Sequence, residues 1–481
     1  MTRIRDLIIV LPGITGSVLA KDGKEVWAAS GQALWQAASS GLGSLRDLAL
    51  SGVDDPQGEL GDGVRATRLI DDIHIVPGIH KIDGYTELRR LLTRQFEVVP
   101  GDIDSDQPAN YFEFPYDWRR DNRVSARRLQ HFIETRLPRW REFSGASNAK
   151  TILIGHSMGG LISRYYLEVL GGWQDCKLLV TFGTPFRGSL KPINYFAHGM
   201  KLLGIKFPFL TQMMKSFPSV YQLLPRYPAI KVDGQWLRVT ETDVVPGLPA
   251  AVAKKGLSFM YDIDAARTRN EKDERYRTDG YQIIPVVGTH QHTLQSAHYQ
   301  NDVLDLSAKP PLNVTAALAT GDGTVPRVSA VPIELSHEYR DSFQAEKHAS
   351  LQSNANLLSR LAATIATTQS DLGLVKGGDL FPSAPPETAL SLTVGDLYPA
   401  NSPITVDAER LNGSGGGDLV LSAKRMADGV ETSVRVTADD GSQQIELPPL
   451  VAGTYRLTLA ESGGQATPVH DVFAVVGDEG A

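Results

Sequence analysis

Cysteine is almost missing from this chain. Cys176 is the one thiol in 481 residues, so no intrachain disulfide can form, and a cross-linked secreted scaffold is excluded. Cys176 follows a helical stretch, in Trp173-Gln174-Asp175-Cys176-Lys177, and reads as structural rather than nucleophilic. Long apolar runs are missing too. The apolar stretch near the start, Leu7-Ile8-Ile9-Val10-Leu11, stops after five residues at Pro12-Gly13, which fits a core strand and not a signal peptide. No stretch approaches the roughly 18 apolar residues that span a bilayer, and the expected location is cytoplasmic, with peripheral membrane contact left open. An excess of basic charge is absent: the formal net charge is -7, which argues against nucleic acid as the main partner. His290 and His292 are closely spaced, but no carboxylate or cysteine set accompanies them. Neither a metal nor a cofactor is expected.

What is present is a chain with 42% hydrophobic and 21% charged residues, suited to a globular protein and too long for one ordinary core. The most informative stretch is Thr151-Ile152-Leu153-Ile154-Gly155-His156-Ser157-Met158-Gly159-Gly160. Aliphatic and β-branched residues predict a buried strand, and Leu161 to Leu167 predicts a helix. Gly-x-Ser-x-Gly between a strand and a helix has the context of the nucleophile elbow of α/β-hydrolases. A serine on such a turn is held at a helix N-terminus, where backbone N–H groups face a developing oxyanion.

The rest of the chain was read around that turn. Residues 7–11 form a first strand, and Pro12-Gly13-Ile14-Thr15-Gly16 follows as the loop that supplies an oxyanion N–H in such folds. Trp27 and Trp35 lie in a polar, glycine-rich stretch; they are either core anchors or an apolar rim that contacts substrate. The spacing predicts a helix over 124–143 with Leu129, Phe132, Ile133 and Leu137 inward, and the arginines 119, 120, 123, 127 and 128 read as a solvated face. Leu178 to Phe182 is a second buried strand, and the alternation predicts parallel pairing. From 190 to 280 the strand rhythm is lost and Phe207, Phe209, Met213, Met214 and Phe217 cluster. This segment is an insertion, either a mobile lid or a plain helical subdomain. Asp322 stands in the turn Gly321-Asp322-Gly323 after a late strand, and His348 comes next, with His337 as a competitor. The order Ser, Asp, His is that of α/β-hydrolases.

The domain organisation expected is a hydrolase unit over 1–372, a linker over 373–388, and a C-terminal unit over 389–481. In the last unit short alternating strands separated by glycine-rich turns predict an immunoglobulin-like β-sandwich, a candidate for binding a protein partner.

Several blocks taken together resemble the lecithin:cholesterol acyltransferase family. They are Leu11 to Gly16, Pro115-Tyr116-Asp117-Trp118-Arg119, Gly155 to Gly160, Gly183 to Pro192, Gly321 to Val325 and the segment around His348. The resemblance implies Ser157 as nucleophile, Asp322 as acid, His348 as base, and the backbone N–H groups of Ile14 and Met158 as oxyanion donors. It implies a serine-dependent lipase, phospholipase or acyltransferase that works on an acyl ester through an acyl-serine. A small-molecule carboxylesterase and an inactive hydrolase-shaped binding module are the alternatives.

Overall fold

The computed structural model describes residues 1–27, 48–50, 60–76, 80–202, 205–311, 319–335, 343–369, 388–411, 417–437, 441–464 and 466–477. Trp35, His337, most of the proposed linker and the strand expected just before Asp322 lie outside them.

The centre is a six-stranded sheet. Its strands are β1 (Leu7–Leu11), β2 (Tyr111–Glu113), β3 (Thr151–His156), β4 (Cys176–Phe182), β5 (Gln282–Thr289) and β6 (Phe343–Ala345). They lie in the order β6-β5-β4-β3-β1-β2, and every pairing is parallel. Such sheets are covered on both faces, so their strands are apolar at successive positions; Leu7–Leu11 is buried throughout. The side chains divide by parity. Leu7, Ile9, Leu11, Leu153 and Leu179 join one core, while Ile8, Val10, Ile152, Ile154, Leu178 and Val180 join the other. Helices Asn122–Ser144 and Met158–Glu168 cover the first face with Leu129, Ile133, Leu161 and Ile162. Helices Thr86–Gln95 and Ala355–Gln369 cover the second with Leu88, Leu92, Leu357, Leu361 and Ile365.

The long helix starts where Asp121 accepts the Arg123 N–H at 2.8 Å and ends at Gly145, whose φ of 72° is left-handed. Its arginine-rich start is only partly the solvated face expected: Arg128 is exposed, whereas Arg119 and Arg120 are buried. Arg119 is fully buried, pairing with Asp117 at 2.6 Å and Asp62 at 2.9 Å. Arg123 binds Asp121 at 3.0 Å and Asp262 at 2.7 Å. Asp62 and Asp262, from distant segments, make Arg119 and Arg123 internal cross-links.

Between β4 and β5 the chain forms the helices Lys191–His198, Pro208–Lys215, Pro218–Tyr221, Ala250–Asn270 and Glu274–Asp279. Met213, Met214, Phe217, Phe259 and Met260 are buried and merge with the core on the first face. The insertion is thus packed as part of the hydrolase unit.

Beyond residue 388 the strands Ala389–Val394, Ile404–Leu411 and Ser442–Leu447 make one sheet. Leu397–Pro399, Val469–Val476, Gly453–Glu461, Leu419–Arg425 and Glu431–Val436 make the other. Leu392, Val406, Leu421, Leu457 and Phe473 fill the space between them, giving a β-sandwich. The sandwich docks on the hydrolase unit. Leu397, Val472 and Ala474 pack with Ile73, Ile75 and Ala349, and Arg456 reaches Asp83 at 2.6 Å.

Candidate active site

Ser157 closes the end of β3. Its φ is 51°, a strained value for a non-glycine residue, and its N–H donates to the Phe182 carbonyl at 2.8 Å. The neighbouring glycines are required by space. A Cβ on Gly155 would meet Gly160 backbone at 2.7 Å, and one on Gly159 would meet the Pro12 carbonyl oxygen at 2.4 Å. The turn therefore presses the start of helix Met158–Glu168 directly against the loop that follows β1.

Three residues distant in sequence meet there. His348 Nε2 lies 2.9 Å from Ser157 Oγ, and His348 Nδ1 lies 2.7 Å from Asp322 Oδ2. The other Asp322 oxygen accepts the N–H groups of Thr324 at 2.9 Å and Val325 at 2.7 Å. The His348 N–H donates to the Asp322 carbonyl at 2.8 Å, so the two loops fix each other. All three side chains are buried. Two further glycines make the meeting possible, Gly183 from the block shared with the family and Gly288 outside it. At Gly183, with φ 57°, a Cβ would come within 2.8 Å of His348 Nδ1 and 2.9 Å of Asp322 Oδ2. At Gly288 it would come within 2.4 Å of the Asp322 Cβ.

A second chain of hydrogen bonds runs behind the serine. The Gly13 N–H donates to the Tyr85 hydroxyl at 2.8 Å. Tyr85 and His156 Nδ1 are 2.9 Å apart, and His156 Nε2 is 3.2 Å from the His348 carbonyl. A carbonyl only accepts, so Nε2 carries the proton, Nδ1 accepts, and Tyr85 donates. Burial pushes the His156 imidazole well below its ordinary range, with the neighbouring His348 adding to the effect, which keeps this tautomer neutral. Because the Gly13 N–H is already engaged, Ile14 is the next backbone donor along the loop. Neither the Ile14 N–H nor the Met158 N–H donates to another backbone group outside helices and strands among the described residues, and Met158 begins its helix, where an N–H has no intrahelical partner.

The loop itself is braced by the Tyr116-Asp117-Trp118-Arg119 block. Tyr116 donates its hydroxyl to the Pro12 carbonyl at 2.8 Å, and the Trp118 indole donates to the Ser17 carbonyl at 3.1 Å. Trp27 belongs to the same brace. It is buried, donates to the Thr15 carbonyl at 3.1 Å, and packs on Trp118 with ring centroids 4.8 Å apart. It anchors the core and does not line the cavity at Ser157, which corrects its reading as a substrate contact. That cavity is apolar, walled by Ile14, Pro185, Tyr195, Met214, Val220 and Leu223. The insertion thus supplies the surface facing the serine. Cys176 is buried, with its thiol pushed up to about 12 by burial. His290 sits beside Thr289, with Nδ1 2.8 Å from Oγ1; among the described residues no group of three or more His, Cys, Asp or Glu side chains is placed to hold a metal. None of the described helices is long and apolar enough to cross a membrane.

Comparison with known proteins adds the following. No curated protein matches the chain. A Bacillus licheniformis lipase, BlEst2 in its propeptide form, is similar at 11% identity with a TM-score of 0.29, covering 100% of this chain and 96% of that one. The CARDB domain of the Pyrococcus furiosus protein PF1109, in complex with di-metal ions, is similar at 15% identity with a TM-score of 0.14, covering 19% of this chain and 96% of that one. The model of the family described as lecithin:cholesterol acyltransferase matches residues 104–354. That span exceeds half of the 481 residues and contains the serine, the aspartate and the histidine that meet at the end of β3, so this chain belongs to the lecithin:cholesterol acyltransferase family.

Proposed function

We propose that the protein is a serine-dependent hydrolase or acyltransferase of lipid acyl esters. Family membership supports the broad class, lipid ester hydrolysis or acyl transfer. The observation that carries the finer reading is the run of contacts from Asp322 through His348 to Ser157, at 2.7 and 2.9 Å. A free hydroxyl is a poor nucleophile at neutral pH. His348 Nε2 accepts the Ser157 proton as Oγ bonds to the ester carbonyl carbon, and Asp322 orients the imidazole and stabilises its charged form. The Ile14 and Met158 N–H groups stabilise the oxyanion, each worth about 3 kcal/mol. Collapse of the tetrahedral species breaks the bond to the alcohol, which leaves with the proton held by His348. Water or a second alcohol then gives its proton to His348 as its oxygen bonds to the acyl carbon, and collapse breaks the bond to Ser157 Oγ, which takes the proton back from His348 as the acid or new ester leaves. The apolar wall at Ser157 favours an acyl chain over a polar acid portion, which ranks a lipid above a small polar ester. The acyl-ester substrate is the partner required; peripheral membrane contact fits a lipid source.

Fluorophosphonate labelling followed by product analysis tests this reading. The wild-type chain is expected to be labelled at Ser157 and to release fatty acid, or a new ester when alcohol is added. Ser157→Ala is expected to lose both with an unchanged melting temperature. Undiminished turnover in that variant would refute the mechanism.

A further inference from the structure

A second cavity, of about 190 Å³, lies in the seam between the hydrolase unit and the sandwich. It is bordered by Asp322 and His348, and Lys191 and Thr324 face both it and the apolar cavity at Ser157. Its size is well beyond a single water, whose share of the liquid is roughly 30 Å³. Three lysines from separate segments line it: Lys81, Lys191 and Lys347.

Their partners differ. Lys81 is held by the sandwich, with Nζ 3.2 Å from Asp396 and 3.4 Å from Asp471, and it donates to the Val394 carbonyl at 3.1 Å. Lys347 is 8% exposed, and Lys191 is partly buried. No described residue lies within ion-pair or hydrogen-bond distance of either ammonium. The carboxylates nearby are committed elsewhere: Asp322 to His348 and two backbone N–H groups, Asp396 and Asp471 to Lys81. Withdrawal from water pushes both lysines below their ordinary range. Enclosed cations without a partner are costly, and here they share a polar cavity that a ligand can enter. Gly323, at φ 92°, leaves the approach to Lys347 open, since a Cβ there would sit 3.4 Å from Nζ.

We propose that the seam cavity is a binding site for a phosphate-type oxyanion, held between Lys191 and Lys347 and completed by the docked sandwich. Lysine binds phosphate as a point charge, without the fixed fork of arginine, and Lys191 and Lys347 come to this cavity from separate segments. Asp396 and Asp471 keep Lys81 engaged and hold the sandwich against the cavity. The anion has two sources: free phosphate, or the phosphate of a lipid whose acyl ester reaches Ser157. The lipid source rests on the ester-cleaving reading, whereas the site itself does not.

Calorimetric titration of inorganic phosphate into the full chain carrying Ser157→Ala tests the site without any need for turnover. Saturable binding is expected, weakened at least tenfold by adding Lys347→Met and retained with Lys347→Arg. Lys191→Met serves as the second variant if Lys347→Met fails to fold, as judged by its melting temperature. No binding to the folded chain, or equal binding in both methionine variants, would overturn the site while leaving the serine mechanism standing. Turnover then separates the sources, using a diacyl phospholipid and a diacylglycerol in the same neutral detergent micelles. Competition by phosphate against the phospholipid alone identifies the headgroup as occupant, and an equal effect on both substrates identifies free phosphate. No effect on either at a concentration that saturates the calorimetric site would refute its placement beside His348.

Discussion

Glu346 and His470 are joined across the seam, Oε2 to Nδ1, at 2.8 Å. The same carboxylate accepts the His470 N–H at 2.8 Å, the Lys347 N–H at 2.9 Å and the Asn354 amide at 2.7 Å. Glu346 is two residues before His348 and is fully buried. The sandwich therefore grips the loop that carries the imidazole. It holds the acid's side as well: Gln291, whose N–H donates to the Gly321 carbonyl at 2.9 Å, donates its amide to the Leu390 carbonyl at 3.0 Å.

A loop held this way should lose rate before it loses affinity. His470→Ala is expected to lower kcat roughly 10- to 100-fold by displacing the imidazole, with KM little changed. His470→Gln, which keeps a side-chain donor toward Glu346, should recover part of the loss. Steady-state kinetics on one soluble ester checks both; a KM effect with normal kcat would contradict the positioning role.

Asp322→Asn keeps the shape of the acid and removes its charge. By analogy with serine hydrolases in general, kcat is expected to fall by roughly 10⁴. Thermal melting should show the fold retained, because the asparagine oxygen still accepts the Thr324 and Val325 N–H groups.

Gly183→Ala tests the space around the imidazole. The left-handed backbone alone costs about 1–2 kcal/mol. The added methyl also lies inside contact distance of His348 Nδ1. A drop in melting temperature together with a larger fall in kcat is expected; Ala at Gly145, a helix end with nothing within 4 Å of its Cβ, should show the stability loss alone.

Trp27→Ala separates a core anchor from a substrate contact. Removing a buried indole costs about 3–5 kcal/mol, read as a lower denaturation midpoint. The KM of the remaining folded fraction should match wild type. A raised KM at unchanged stability would restore the substrate role.

The pH dependence has two limbs. Glu346 and the nearby Asp83 carboxylate raise the His470 pKa in the folded chain against burial and the opposing Arg456 charge. A raised pKa contributes stability that is complete below the unfolded value near 6.5 and is lost as pH rises through the folded one. Burial lowers His74 to about 4 and holds His156 well below its ordinary range. These two oppose acid: their contribution is present above pH 6.5 and falls as the unfolded chain takes up protons below it. The melting-temperature gap between wild type and His470→Gln should therefore be widest below about pH 6.5 and close as pH rises through the raised folded value of His470.

Much of the catalytic half is legible in the sequence because its signals are local. β1, β3 and β4 are apolar runs, the turn at Ser157 carries its glycines within two residues, and the order of Ser157, Asp322 and His348 is linear information. What escapes is set by contacts between distant segments. The steric role of Gly183 and of Gly288, the latter inside β5, shows only when the imidazole and the acid are brought beside them. Arg119 reads as solvated because Asp62 lies 57 positions away. In the sandwich, Ile404–Leu411 is faint as a strand in the sequence because its inward positions fade from Ile404 and Val406 to Ala408 and Arg410, the last buried against Glu461 at 2.6 Å. The seam is least legible, since its pairings join residues such as Asp83 and Arg456, 373 positions apart.

The grip of His470 on Glu346 also orders events during synthesis. The turn at Ser157 leaves the ribosome long before strand Val469–Val476, and until that strand arrives the imidazole loop is untied on one side. In a growing polypeptide the loop that carries His348 therefore lacks its Glu346–His470 tie until residue 470 has been made.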